Sequence, residues 1–228
     1  MISIQKFKIA YIALKKIKYW ILSLQFGAKP SAIMQTASTT FMDRHPDIFD
    51  IIKMNFGEQE IRVLSFGCST GEECFSLRNY LPNAKITGID INPSSIDKAK
   101  KSSLADSNMD FVCCSPNELK LLGKFDVILA MSVLCKNPEA QELTDISSIY
   151  PFHRYNSIVL SLDSLLEEKG YLIIRSSNFR FRDSNIFNKY RVVEFKNSRE
   201  PKFFPKFDVN NKRLINYLET EEIFQKES

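Results

Sequence analysis

Residues 61–73 read Ile61-Arg62-Val63-Leu64-Ser65-Phe66-Gly67-Cys68-Ser69-Thr70-Gly71-Glu72-Glu73. Ile61–Phe66 is a mostly apolar run that ends at a glycine, the pattern of a buried strand. Gly67 and Gly71 bracket a tight turn. A helix follows to about Tyr80, and its free N–H groups aim back at that turn. Outward from here the alternation continues. Ala84–Ile89 reads as a strand, Pro93–Leu104 as a helix, and Met109–Cys113 and Phe125–Ala130 as strands. A helix over about His153–Glu168, stopped by Gly170, leads into a strand at Tyr171–Arg175. Strands alternating with helices predict a parallel α/β sheet with helices on both faces. Two further β-like runs, Arg191–Phe195 and Glu222–Lys226, suit an antiparallel pair at its edge.

In such a sheet ligands bind beyond the carboxyl ends of the strands. The glycine turn lies at one of those ends. A dinucleotide fingerprint needs GxGxxG. This turn is GxxxG followed by Glu72 and Glu73, acids that repel a pyrophosphate and suit a cationic ligand. S-adenosylmethionine (SAM) carries a sulfonium and an ammonium group. The next strand ends at Asp90, 23 residues after Gly67, one βαβ step away. An acid at that tip accepts ribose hydroxyls through charged hydrogen bonds of about 1.5–3 kcal/mol each. Asn92, just before Pro93, is the better helix cap, which leaves Asp90 for the ligand.

The string Gly67-Cys68-Ser69-Thr70-Gly71-Glu72-Glu73 resembles the cofactor loop of the CheR-type chemoreceptor glutamate methyltransferases. Other matches follow in chain order: Asp90-Ile91-Asn92 with Lys98-Ala99-Lys100, Phe125-Asp126-Val127-Ile128, and Ser176-Ser177-Asn178-Phe179. Upstream, Thr40-Phe41-Met42-Asp43-Arg44, with Pro46 and Phe49, is similar to that family's T-x-F-F-R segment. The resemblance covers about residues 38–180. It implies a Rossmann-like class I SAM methyltransferase fold, a seven-stranded mostly parallel sheet with helices on both faces. It also implies site roles. Thr40 and Arg44 close over the methionine end of SAM, with Arg44 on its carboxylate. Gly67, Cys68, Ser69 and Gly71 line the cofactor, and Glu73 lies near its ammonium end. Asp90 holds the ribose and Ile91 also lies at the cofactor, Ser115 and Pro116 lie beside the adenine, and Ser132 and Val133 form the floor.

The departures separate cofactor from substrate. Asp43 stands where that family has an aromatic, and Ser115 and Ser132 where it has asparagines. Only Ala105–Asn108 separates the second helix of the alternation from the third strand, where the chemoreceptor enzymes carry a small β subdomain that helps dock the receptor. Their N-terminal helical domain is also missing. The expected function is SAM-dependent methyl transfer to a small molecule or a protein, by residues 37–228. A non-catalytic SAM-fold binding module and an RNA-directed methyltransferase are the alternatives. Methyl transfer from a sulfonium depends chiefly on alignment, and no catalytic base is assigned. Tyr150, His153, Arg154, Arg175 and Asn178 are candidates for the acceptor side. The segment 179–207 carries eight basic residues against three acids with interleaved aromatics, which reads as solvated strands with core aromatics or as an RNA-facing surface.

Composition sets the outer bounds. At 228 residues and 44% hydrophobic, the chain suits one globular domain. Its net charge of +4 does not by itself imply nucleic acid. Five cysteines without a CxxC pair, and two histidines far from them, suit reduced thiols and no metal site. No apolar run approaches the ~20 residues of a membrane span, and no signal-peptide pattern is found, so a cytoplasmic protein is expected. Residues 1–36 form a basic helix, over 2–26, and a linker. The simplest expectation packs this helix on the domain with its lysines in water. Peripheral contact with a membrane or RNA is the sharper one.

Overall fold

The computed structural model describes residues 14, 17, 20–24, 33, 35, 39–116, 118–194, 204–218 and 220–228. Helix α1 (Pro46–Phe56) precedes β1 (Arg62–Phe66), α2 (Glu72–Tyr80), β2 (Lys85–Asp90), α3 (Pro93–Lys100) and β3 (Met109–Cys113). Then come β4 (Phe125–Met131), α4 (Phe152–Leu165), β5 (Leu166–Arg175), β6 (Tyr190–Val192) and β7 (Ile223–Lys226). The strands form one seven-stranded sheet in the order β3-β2-β1-β4-β5-β7-β6. The five strands from β3 to β5 are parallel; β7 runs antiparallel to both β5 and β6. This is the expected Rossmann-like methyltransferase architecture.

The central strands are apolar at nearly every position because both faces are covered. Val63, Val127, Leu129, Ile173 and Ile223 pack under α1, α2 and α3. Their neighbours Leu64, Ile128, Ala130, Leu172 and Phe224 pack under α4 on the other side. Each such aliphatic contributes about 1.5–3 kcal/mol on burial. Phe179, Phe181 and Phe207 are buried in the same layer. Phe181 stacks against Tyr190 and Phe224, with ring centroids 4.9 and 4.4 Å away. The described aromatics of the 179–207 segment are therefore chiefly core, in line with the reading of solvated strands with core aromatics. Residue 195 and residues 196–203 lie outside the described residues.

Two helices end earlier than expected. Gly170 does not stop a helix. Helix α4 ends at Leu165, and β5 already begins at Leu166. Gly170 sits inside that strand, where a Cβ would lie 2.9 Å from the Asp126 carbonyl oxygen, so the backbones approach too closely for any side chain. Helix α3 ends at Lys100, short of Leu104. Its start is as read: Pro93 follows the cap and the Asn92 side chain accepts from the Ser94 amide at 3.1 Å.

The N-terminal segment departs from its simplest reading. Positions 14, 17 and 20–24 are helical. Leu14, Ile17, Trp20, Ile21 and Leu24 are 52–66% exposed, so their apolar side chains face solvent instead of the domain. The rest of residues 2–26 lies outside the described residues. No helix among the described residues is long and apolar enough to cross a membrane.

Candidate active site

A cavity opens at the carboxyl ends of β1, β2 and β4, where the strand order turns outward from β1. The glycine turn forms one wall. Gly67 has φ +85°, and a Cβ there would lie 2.6 Å from Val133 Cγ2, so only glycine lets the loop after β4 close on the loop after β1. Ser69 and Ser132 hold φ of +51° and +57°, the left-handed region that non-glycine residues occupy at a cost. Both line the cavity. Such strain persists where the surroundings hold it and clusters at functional sites.

Asp90 organises the centre. Its Oδ2 accepts from the Ser69 amide at 2.9 Å and its Oδ1 from the Asn92 amide at 2.8 Å. Burial raises its carboxyl above the usual carboxylate range, opposed by the amides of Asn92, Ser69 and Ile91. A carboxylate oxygen has more than one acceptor direction. Asp90 can thus brace the loop and still receive hydroxyl donors from a ligand.

Glu73 and Arg44 supply opposite charges to the same cavity. Burial pushes the Glu73 carboxyl up to about 7, while the Ser65 hydroxyl, donating to Oε1 at 2.7 Å, and the Arg44 guanidinium pull it back. Arg44 donates from Nη1 to the Thr39 carbonyl at 2.9 Å, and its guanidinium lies 5.7 Å from the Phe41 ring centroid. It enters the site from just ahead of α1. That helix is anchored by Arg175 at the end of β5, which donates to both Asp47 oxygens at 3.0 and 2.6 Å and to both Glu222 oxygens at 2.9 and 2.5 Å. Arg175 Nη1 also lies 3.2 Å from His45 Nδ1. A guanidinium only donates, so Nδ1 accepts and the ring proton is on Nε2.

Thr40, Arg44, Gly67, Cys68, Ser69, Glu73, Asp90, Ile91, Pro116, Ser132 and Val133 all line this cavity. Gly71 and Ser115 do not. Gly71 is the left-handed residue that starts α2, where a Cβ would lie 2.8 Å from the Phe75 ring. The Ser115 amide and hydroxyl both donate to Glu118. Cys114 takes the place expected of Ser115. Its amide bonds the Asp90 carbonyl at 3.1 Å, continuing the β2–β3 pairing by one residue.

None of the five acceptor-side candidates lines the cavity. Tyr150 is buried under Arg154. Arg154 donates to the Ile33 carbonyl, Asn178 bonds the Lys136 amide and the Pro205 carbonyl, and Arg175 is held by its carboxylates. His153 is exposed. The cavity wall instead includes Gln35, Thr39, His45 and Met131, which local sequence did not single out. For His45 a signal existed: it adjoins Arg44 at the helix start. The cavity thiols are spectators, since burial pushes Cys114 up to about 11, and the Cys74 hydrogen bond and burial raise Cys68 well above its ordinary value.

The donor set fits SAM. Glu73 and Arg44 match an ammonium and a carboxylate, Asp90 matches ribose hydroxyls, and Ile91, Cys114 and Pro116 offer an apolar lining for a base. A model of the family described as "Methyltransferase domain" matches residues 58–219. The chain belongs to this methyltransferase family. Over 79 residues the methyltransferase domain is 32% identical to a malonyl-[acyl-carrier protein] O-methyltransferase of Priestia megaterium, covering 35% of this chain and 28% of that protein. Over 48 residues it is 46% identical to a chemotaxis protein methyltransferase of Campylobacter jejuni, covering 19% of this chain and 18% of that protein. These matches thus span less than a third of the curated relatives' own length. TehB from Haemophilus influenzae has a similar fold, with a TM-score of 0.50 at 15% identity over 81% of this chain and 62% of TehB.

Proposed function

We propose that this domain is a SAM-dependent methyltransferase acting on a small molecule or a protein side chain. One observation carries the reading: Asp90 at the tip of β2 is tied to the glycine turn through Ser69, in a cavity that also holds Glu73 and Arg44. When bound, SAM supplies a methyl group on a positively charged sulfur, already an excellent leaving group. The residues of this chain bind and orient. Asp90 accepts the ribose hydroxyls, Glu73 faces the ammonium, and Arg44 grips the carboxylate. Ser132 and Val133 set the floor against which the acceptor approaches. Holding the reacting atoms in line is worth about 7–11 kcal/mol.

The 48-residue chemotaxis match supports extending the CheR-type resemblance to the cofactor half of this site. A carboxylate is the acceptor class we favour, because it attacks without losing a proton and the cavity thiols stay protonated. The malonyl-[acyl-carrier protein] O-methyltransferase relative supports the same class. The test is methyl turnover with labelled SAM over carboxylate, amine and hydroxyl acceptors, small and protein-borne. Turnover on carboxylates is expected. SAM binding without turnover on any acceptor would mark a binding module instead.

A further inference from the structure

The charges of this chain are segregated. Six lysines, Lys6, Lys8, Lys15, Lys16, Lys18 and Lys29, and no acid or arginine precede Asp43. The remaining residues carry 25 basic side chains against all 27 acids, a formal net charge of −2. The positive net charge of the whole chain therefore belongs to its first 42 residues.

The same segment exposes an apolar stripe. At 3.6 residues per turn, positions 14, 17, 20, 21 and 24 fall within an arc of about 120°. Leu14, Ile17, Trp20, Ile21 and Leu24 occupy them, and all five are exposed. Leu22 is half-buried and Ser23 buried, so the opposite side of the helix is the covered one. A helical face of exposed apolar side chains with a tryptophan, in a stretch of sequence that has six lysines and no acids, is matched to the boundary of an anionic bilayer. Apolar side chains suit the acyl region and lysines suit the headgroups.

We propose that this N-terminal helix lies on an anionic lipid surface through Leu14, Ile17, Trp20, Ile21 and Leu24, and holds the methyltransferase domain there peripherally. The net negative charge of the domain disfavours its own approach to such a surface, which leaves the helix as the contact. RNA fits less well, because an exposed Leu and Ile stripe gains nothing from phosphates. A second copy fits less well, because two acid-free lysine segments repel across a shared interface.

Trp20 is the only tryptophan of the chain, so its emission reports on this helix alone. The full chain is titrated with vesicles of phosphatidylcholine, and of phosphatidylcholine mixed with phosphatidylglycerol. Expected are sedimentation with the mixed vesicles, a blue shift of Trp20 emission, at least roughly tenfold weaker binding to neutral vesicles, and weakening by salt. The Ile17→Glu/Ile21→Glu variant should lose both signals while keeping its circular dichroism and SAM affinity, since both positions are exposed. Unchanged vesicle binding by that variant, or no Trp20 shift with anionic vesicles, overturns the proposal. So does lipid-free self-association that the variant abolishes, or RNA binding with wild-type affinity for both proteins and no vesicle binding by either.

Discussion

The backbone amide of Ser69 donates to Asp90 Oδ2 at 2.9 Å, tying the glycine turn after β1 to the tip of β2. The contact gives Asp90 a second task beside the ligand role proposed above: it holds the loop that lines the cavity.

Asp90→Ala should therefore do more than remove ribose contacts. SAM affinity should fall at least roughly tenfold, equivalent to about 1.4 kcal/mol. The cofactor-free protein should also lose about 1–3 kcal/mol, because the partly buried amides of Ser69 and Asn92 lose their acceptor. Calorimetric binding and chemical denaturation measure the two losses separately. A loss of affinity without a loss of stability would show that the loop needs no brace from Asp90.

Glu73 predicts a pH dependence. Its carboxyl is pushed up to about 7 in the folded domain, against an ordinary 4.5, chiefly by burial. Only the ionised form attracts the ammonium group of SAM. Affinity should rise with pH from about 6 to 8 and then level off, and Glu73→Gln should flatten that rise. The effect on cofactor-free stability has the opposite sign. Between the two values the folded domain holds a proton that the unfolded chain has released, so this group lowers stability as pH rises from 4.5 to about 7. Titration calorimetry and denaturant midpoints across that range check both halves.

Gly67→Ala should destabilise through two separable causes. One is the left-handed φ of +85°, and the other is the 2.6 Å approach to Val133 Cγ2. The backbone cost is about 1–2 kcal/mol. Adding Val133→Ala removes the Cγ2 contact but leaves Val133 Cβ at 2.9 Å and the backbone cost, so the double variant should recover only part of the loss. Denaturation of both single variants and the double variant measures the coupling.

Much of this architecture was legible because its strands are buried on both faces and so read as apolar runs, as Val63 and Leu64 illustrate on opposite sides of the sheet. The glycine turn and Asp90 were legible because one βαβ step fixes their separation. Other features depend on tertiary pairing. Arg175 reads as a candidate for the acceptor side, yet its partners Asp47 and Glu222 lie 128 and 47 residues away along the chain. Cys114, not Ser115, lines the cavity, and Ser115 turns its amide and hydroxyl to Glu118, a local contact that the motif match does not reveal. The exposed stripe on the N-terminal helix carries the same periodicity as a packed one, so sequence alone favoured packing.

Receptor-type glutamates should be poor substrates. The link between α3 and β3 is a closed turn, with the Ala105 amide on the Ser102 carbonyl and the Asn108 amide on Asp106. Arg78 clamps it from α2, bonding both Asp106 oxygens and the carbonyls of Leu81, Pro82 and Ala84. It leaves no place for a receptor-docking subdomain. Methylation of a chemoreceptor cytoplasmic fragment should stay near background in an assay that detects turnover on the preferred acceptor. Efficient labelling of the fragment would refute this.

The last prediction concerns Arg44, which no βαβ argument places at the cofactor. It lies upstream of β1, yet the structure brings it to the same cavity as Glu73 and Asp90. It donates to the Thr39 carbonyl and lies against the exposed Phe41 ring. Lysine keeps the charge at this position, so Arg44→Lys should cost the cofactor-free domain about 1 kcal/mol or less. A guanidinium grips a carboxylate through two parallel hydrogen bonds, and an ammonium cannot reproduce that fork. If Arg44 holds the carboxylate of SAM, Arg44→Lys should lose roughly tenfold or more in affinity. Binding shifts stability by mass action, so the gain in melting temperature at a fixed SAM concentration should shrink in step. The companion measurement uses a SAM analogue lacking the carboxylate, which wild type and Arg44→Lys should bind alike. Equal binding of intact SAM by both proteins would release Arg44 from the site and leave Asp90, Glu73 and the glycine turn to hold the cofactor.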